Sequence, residues 1–311
     1  MTEKPLIQVR DLSRYYHGLC AVDQISFELY RGEVLGFLGP NGAGKSTVMR
    51  MLCGNLAPSA GSIQIHDLDL LAEPKQAKRH LGFLPQTPPL YLDMSVDEFL
   101  RFCAKLHGVS AARLEDALYE VKQRCGLAEV SRRLIGQLSK GYQQRVGIAQ
   151  AVIHKPAVIV LDEPTVGLDP IQIRDIRQLI KELGREHGVI LSTHILPEVQ
   201  ATCSRVQIIH RGQLVFNEQM QRLTDDFPTT HLNVRLGAMA DLELIYSMEG
   251  VEGVQPQPDG GLIIEIDPDH NPASRLASLA VQKGWGLFEL SPQRQSLEQV
   301  FVALTCQEQS A

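Results

Sequence analysis

The chain has 311 residues, 44% of them hydrophobic, which is enough to build one large domain and one small one around buried cores. Its formal charge of −6 is unevenly placed: residues 1–219 carry 25 basic and 23 acidic side chains, whereas residues 220–311 carry 5 and 13. The acidic C-terminal stretch argues against a nucleic acid or an anionic bilayer as its partner, because phosphate contacts need cations.

Residues 6–12 (LIQVRDL) and 22–30 (VDQISFELY) alternate apolar and polar side chains, the pattern of half-buried antiparallel strands. EVLGFLG (33–39) is a more continuous apolar strand. It runs into the glycine-rich turn GPNGAGKST (39–47), after which STVMRMLCGN has helical spacing. From about residue 93 to 155 the periods are mostly helical, in SVDEFLRFCAKLHG, ARLEDALYEVKQRCG and the helix that follows LSKGYQQR. AVIVL (157–161) and GVILS (188–192) read as buried parallel strands separated by the helix IQIRDIRQLIKELGREHG. Residues 1–220 thus predict an α/β core with an antiparallel section in front and a helical insertion. Past 220 the order changes to strand (HLNVRLG), helix (MADLELIYSME), two strands around the turn signal PDGG (VEGVQPQ, GLIIEID), helix (NPASRLASLAVQKG) and strand (WGLFEL). This is a small split-βαβ, ferredoxin-like α+β unit over 221–311, closed by the amphipathic helix SLEQVFVALT.

The turn at 39–47 fits G-x-x-x-x-G-K-[ST] between a strand and a helix, the Walker A context. Gly39, Pro40, Asn41, Gly42, Ala43 and Gly44 form a loop whose backbone N–H groups can face inward, while Lys45 can reach the β- and γ-phosphates of a nucleoside triphosphate. The Ser46 hydroxyl can ligate Mg²⁺, and Thr47 completes the motif at the helix start. VIVLDE places Asp162 and Glu163 at the C-terminal end of an apolar strand, where ligands of parallel sheets bind. Asp162 suits a Mg²⁺ ligand through water, and Glu163 a water-activating base. His194 ends GVILSTH on the same edge, where an imidazole could hold the γ-phosphate and orient water. Gln86, in FLPQTPPL, is either a turn residue or an amide that senses Mg²⁺ and the attacking water.

LSKGYQQR (138–145) is a second helix start with phosphate-binding character. Ser139 suits the N-cap, and Gly141 leaves room for a ligand at the first turn. One nucleotide does not need both cradles from one chain, and about 95 residues separate them. The arrangement that uses both is a head-to-tail pair of chains, each lending its 139–143 stretch to the other's triphosphate.

In this order GPNGAGKST, Gln86, LSKGYQQ, VIVLDEP, GLDP and STH resemble the nucleotide-binding subunit of an ABC transporter over roughly residues 5–220. The resemblance implies a RecA-like P-loop NTPase core with an antiparallel β subdomain and a helical signature subdomain. It also implies an ATPase that uses ATP and Mg²⁺, an integral membrane permease as partner, and a place on the cytoplasmic face of the cell membrane through that permease. It further implies that Tyr16 stacks on adenine, with Tyr15 as the rival. Asp169 of GLDP would bridge the dimer interface, and Ser139, Lys140, Gly141 and Gln143 would meet the partner's ATP. The usual signature is similar to LSGGQ; here Lys140 takes the place of the first glycine and Tyr142 that of the glutamine. These departures and the C-terminal unit resemble the ABC-2 type exporter branch, which handles drugs, lipids or polysaccharides. Two other readings are a non-transport ABC ATPase and an ATP-gated regulatory protein.

The six cysteines (Cys20, Cys53, Cys103, Cys125, Cys203, Cys306) lie far apart with no metal-ligand spacing, so buried free thiols are expected rather than a disulfide or zinc framework. MTEKPLIQVR lacks the features of a signal peptide, and no apolar run approaches the ~18 to 20 residues of a membrane span. A soluble chain that borrows any membrane role from a partner is expected.

Overall fold

The computed structural model describes residues 4–225, 229–238, 240–258, 260–267, 270–294 and 297–306. Met239, Asp259 of the PDGG turn, Ser296 and the side chain of Cys306 lie outside the described residues. The chain divides into two compact units, Met1–Met220 and Gln221–Ala311.

The first unit opens with strands β1 (Ile7–Tyr16) and β2 (Leu19–Leu29), antiparallel and joined by a two-residue turn at His17 and Gly18, both at positive φ. β3 (Val34–Leu38) follows, buried on both faces, and α1 (Lys45–Leu52) leaves the glycine-rich turn. β4 (Ala60–Ile65) and β5 (Leu68–Asp69) complete a four-stranded antiparallel sheet in the order β2-β1-β4-β5. After α2 (Pro74–Ala77), β6 (Leu81–Leu84) leads to Gln86. The helical insertion consists of α3 (Val96–Leu106), α4 (Ala111–Arg124) and α5 (Lys140–Val152). Ser95 starts α3 with a full capping box, its Oγ accepting from the Glu98 N–H while Glu98 reaches back to the Ser95 N–H.

The chain then returns to the centre through β7 (Val158–Asp162), α6 (Pro170–Gly184), β8 (Gly188–Thr193), α7 (Leu196–Thr202), β9 (Arg205–His210) and β10 (Gln213–Gln219). The central sheet has the order β10-β9-β3-β8-β7-β6, parallel except for the β9–β10 hairpin. Every residue of β3, β7 and β8 is buried, as the unbroken apolar runs require of strands covered on both faces. Register pairs Leu38 with Thr193 and Asp162 with Ser192. The ends of β3, β7 and β8 therefore lie side by side on one edge, and Lys45, Asp162, Glu163 and His194 are carried at or just beyond it.

Phe37 on β3 has no exposed surface and packs on Phe27 of the antiparallel sheet, ring centroids 5.3 Å apart and planes tilted by 59°. Phe37→Ala leaves a cavity between the two sheets, so a loss of about 3–5 kcal/mol in urea unfolding is expected. A change below about 1 kcal/mol would show that the two sheets do not share a core.

In the second unit, α8 (Met220–Asp225) precedes β11 (Thr229–Leu236), α9 (Leu242–Tyr246), β12 (Val251–Pro256), β13 (Gly261–Ile266), α10 (Ala273–Gln282), β14 (Leu287–Arg294) and α11 (Leu297–Cys306). The sheet order β12-β13-β11-β14, all antiparallel, is that of a ferredoxin-like fold, with Leu232, Val234, Ile264, Leu276 and Trp285 in its core. α9 is only five residues long; Asp241 caps its first turn, and Gly250 at φ +88° turns the chain into β12. Four cysteines are buried free thiols, but Cys20 is exposed on β2, outside the expected pattern. Among the described residues no helix is long and apolar enough to cross a membrane.

Candidate functional site

The turn from β3 into α1 folds as a cradle because two of its glycines have no substitute. A Cβ on Gly39 would stand 2.4 Å from the Ile209 carbonyl oxygen, and Gly44 sits at φ +110° with the Ala21 carbonyl oxygen 2.7 Å from where a Cβ would be. Ala43 is buried. Its N–H donates to the Pro40 carbonyl at 3.2 Å and its carbonyl accepts from Gly212 N–H at 2.9 Å, tying the loop to the β9–β10 turn. Lys45 arches back over the loop, its ammonium donating to the carbonyls of Gly39 (2.8 Å) and Pro40 (3.1 Å). Burial lowers the Lys45 pKa from its ordinary value, against the pull of Glu163 and Asp162. An incoming polyphosphate would favour the charged form.

Asp162, the last residue of β7, accepts from Ser46 Oγ at 3.4 Å and from the Ser192 hydroxyl on β8. Glu163 follows in the left-handed region (φ +48°), held there by its own N–H donating to the Ser192 carbonyl at 3.0 Å. Three groups converge on its carboxylate: Gln86 Nε2 donates at 3.0 Å, His194 Nδ1 lies at 3.1 Å and Lys45 Nζ at 3.8 Å. The strand edge thereby brings together five of the residues singled out from the sequence, namely Lys45, Gln86, Asp162, Glu163 and His194. Asn41, Gly42, Gly44, Ser46, Thr47, Ala21 and Val166 complete a cleft of about 500 Å³ with Lys45, Gln86, Glu163 and His194. Ser192 carries no motif of its own. Its place beside Asp162 follows only from the β7–β8 register.

The other singled-out residues do not line this cleft. Ser139 caps α5, its Oγ accepting from Tyr142 N–H at 3.4 Å. Gln143 Nε2 donates to the carbonyls of Ile135 (3.2 Å) and Leu138 (3.3 Å), folding the preceding turn onto the helix. Lys140 extends over the turn at Gly167, and Gly141 packs so near Gln172 that a Cβ would meet its side chain at 2.5 Å. Asp169 is exposed and caps α6 by accepting from Gln172 N–H at 2.9 Å. Tyr16 is half-buried near the β1–β2 turn with the Arg14 guanidinium 4.7 Å from its ring centroid, and Tyr15 is 47% exposed.

The sequence profile of the family described as ABC transporter matches residues 22–166, which contain the cradle, Gln86, the 139–143 helix start and Glu163. The bacitracin transport ATP-binding protein BcrA of Bacillus licheniformis is 32% identical over 310 residues, covering 96% of this chain and 97% of that protein. This chain belongs to the ABC transporter ATP-binding proteins. The ABC transporter ATP-binding protein NatA of Bacillus subtilis is 36% identical over 73% of this chain and 95% of its own length. A solved ATP-binding subunit of an ABC transporter superposes with a TM-score of 0.65 at 31% identity, covering 71% of this chain and 92% of that one. CbiO1 of Clostridium perfringens, part of the ABC transporter complex cbiONQ, gives 0.65 at 28% over 71% and 91%. The first unit is therefore the P-loop fold of an ABC ATPase, and the chain is the ATP-binding, ATP-hydrolysing subunit of a transporter.

Proposed function

We propose that two copies of this subunit close head to tail around two ATP molecules and drive an export permease. The observation that carries the reading is the position of the 139–143 helix start. It is capped, with Ser139, Lys140 and Tyr142 exposed and Gly141 buried against Gln172, yet none of its residues lines the phosphate cleft of its own chain. A partner's γ-phosphate gives this second anion-compatible helix start something to bind, with Ser139, Lys140, Gly141 and Gln143 facing it and Asp169 at the seam.

In each composite site the loop 39–47 holds the phosphates, and Lys45 neutralises the β- and γ-oxygens as it exchanges its carbonyl partners for them. Glu163 takes a proton from the attacking water, and His194, already at hydrogen-bond distance from Glu163, fixes the water and the γ-phosphate. The Ser46 hydroxyl and the Asp162 carboxylate are hard oxygen donors set next to each other, as Mg²⁺ requires, and Gln86 stands beside them on the cleft wall. Mg²⁺ held by Ser46 and Asp162 would supply charge neutralisation to the phosphates. Tyr16 is the stacking surface for adenine.

Gln86, with Ser46 and Asp162, also lines a second groove of about 650 Å³ whose Leu81, Phe83, Pro85, Arg50 and Lys78 side suits a docking segment of the permease. This contact would place the subunit on the cytoplasmic face of the membrane. Export is favoured over import by the likeness to BcrA across 96% of the chain, which includes the C-terminal unit.

Under this reading ATP turnover of the purified chain rises more steeply than linearly with protein concentration, and chelation with EDTA abolishes turnover until Mg²⁺ is returned. Strictly linear dependence would remove the shared site, and undiminished turnover in EDTA would remove the metal role. Export itself is tested by reconstituting the chain with its membrane permease in vesicles and reading the direction of ATP-dependent cargo movement.

A further inference from the structure

The two strand ends that carry the hydrolytic groups are joined by a buried carboxylate with no place in the scheme above. Glu198, in the first turn of α7, is 1% exposed. One of its oxygens accepts from the Thr165 hydroxyl, and the other from Thr193 Oγ1 at 2.7 Å. Arg177 of α6 lies 3.8 Å away, with its Nε buried and without a hydrogen-bond partner. Burying a carboxylate costs several kcal/mol unless its lone pairs are satisfied, and a hydrophobic residue on α7 would serve packing at least as well.

What this carboxylate ties together is specific. Thr165 lies two residues after Glu163 in the turn leading to Asp169, and Thr193 immediately precedes His194. Thr193 Oγ1 also accepts from the Ile195 N–H at 3.0 Å, so the backbone is pinned on both sides of His194. Glu163 is held by its N–H on Ser192 and by its carbonyl, which accepts from Val166 N–H at 3.3 Å. The carboxylate thus bridges the two segments whose side chains meet at the 3.1 Å contact between Glu163 and His194.

We propose that Glu198 is a positioning residue for ATP hydrolysis: by holding Thr165 and Thr193 on its two oxygens it fixes the separation of Glu163 and His194. It touches neither the cleft nor the phosphates, so its effect falls on the chemical step and leaves nucleotide binding alone. The inference rests on the reading of Glu163 and His194 as the hydrolytic pair.

The test is steady-state Mg-ATP turnover of the full chain. Glu198→Ala is expected to lower kcat about 10- to 100-fold, the scale of a misplacement near 1 Å, while KM stays within about twofold. Glu198→Gln keeps the shape and one acceptor, and should stay within about threefold of wild type. Thr193→Val, nearly isosteric, should lose turnover in the same direction, and it decides the matter if Glu198→Ala does not fold. Added to His194→Ala, the Glu198→Ala change should cost less than about twofold more, because its effect passes through the histidine. Wild-type kcat in Glu198→Ala or Thr193→Val beside a slow His194→Ala, or fully multiplicative losses in the double variant, would overturn the positioning role. Wild-type kcat in His194→Ala would instead overturn the hydrolytic pair and take this inference with it.

Discussion

Glu163→Gln is expected to bind Mg-ATP at least as tightly as the wild type and to hydrolyse it about 10² to 10⁴ times more slowly, the usual cost of losing a general base. The amide has the carboxylate's shape, so the contact with Gln86 and the turn at positive φ survive, and the phosphate loop is untouched. What changes is charge. The carboxylate lies 3.8 Å from Lys45, where it attracts the ammonium and would repel a γ-phosphate. Removing it leaves Lys45 to the phosphate and removes that repulsion. With the γ-phosphate retained, the closed pair proposed above would have no route to opening. Light scattering on a size-exclusion column should show a dimer in Mg-ATP and a monomer in Mg-ADP. Wild-type turnover in this variant would take the base role away from Glu163, and a monomer under ATP would remove the sandwich.

The site residues that were legible in the sequence are those whose chemistry is local. A lysine closing a glycine loop between a strand and a helix, or two acids ending an apolar strand, has few alternative explanations, and the fold places Lys45, Glu163 and His194 on one cleft with Asp162 next to Ser46 at its edge. Gln86 reads equally as a turn residue along the chain, and only its amide's hydrogen bond to Glu163 in the fold gives it a place in the site. Ser192 and Glu198 were not legible, because their partners come from other strands and helices and no spacing along the chain encodes them. The same distinction holds for the fold. β3, β7 and β8 are unbroken apolar runs and read plainly. The alternation of β1 breaks at Asp11, where a φ of +47° and irregular pairing bend the strand. β9 is hidden by a fully buried glutamine, Gln207, whose amide donates to Asn217 on β10 at 3.3 Å. A polar residue in mid-strand looks like a surface position until its cross-strand partner is known. In the C-terminal unit the order of elements sufficed, because the split-βαβ arrangement dictates which strands become neighbours.

Mixing two inactive variants should restore activity, and this distinguishes a shared site from a self-contained one. Lys45→Ala removes the ammonium that the cradle turns on, and Gly141→Asp puts a carboxylate at the helix start that would face the partner's γ-phosphate, against a side chain already packed on that glycine. As homodimers both variants have two defective sites. In a mixed pair the two lesions fall on the same composite site, since the loop of the first subunit meets the helix start of the second. The other site is then built from an intact loop and an intact helix start. Random pairing makes half of the dimers mixed, each with one good site of two, so an equimolar mixture refolded together should recover roughly a quarter of wild-type turnover. If each chain completed its own site, every site in the mixture would carry one lesion and turnover would stay at the mean of the two parents. The recovery depends on the geometry already in the single chain: a phosphate cleft with Lys45, Glu163 and His194 on its walls, and a capped helix start at Ser139 that contributes nothing to it.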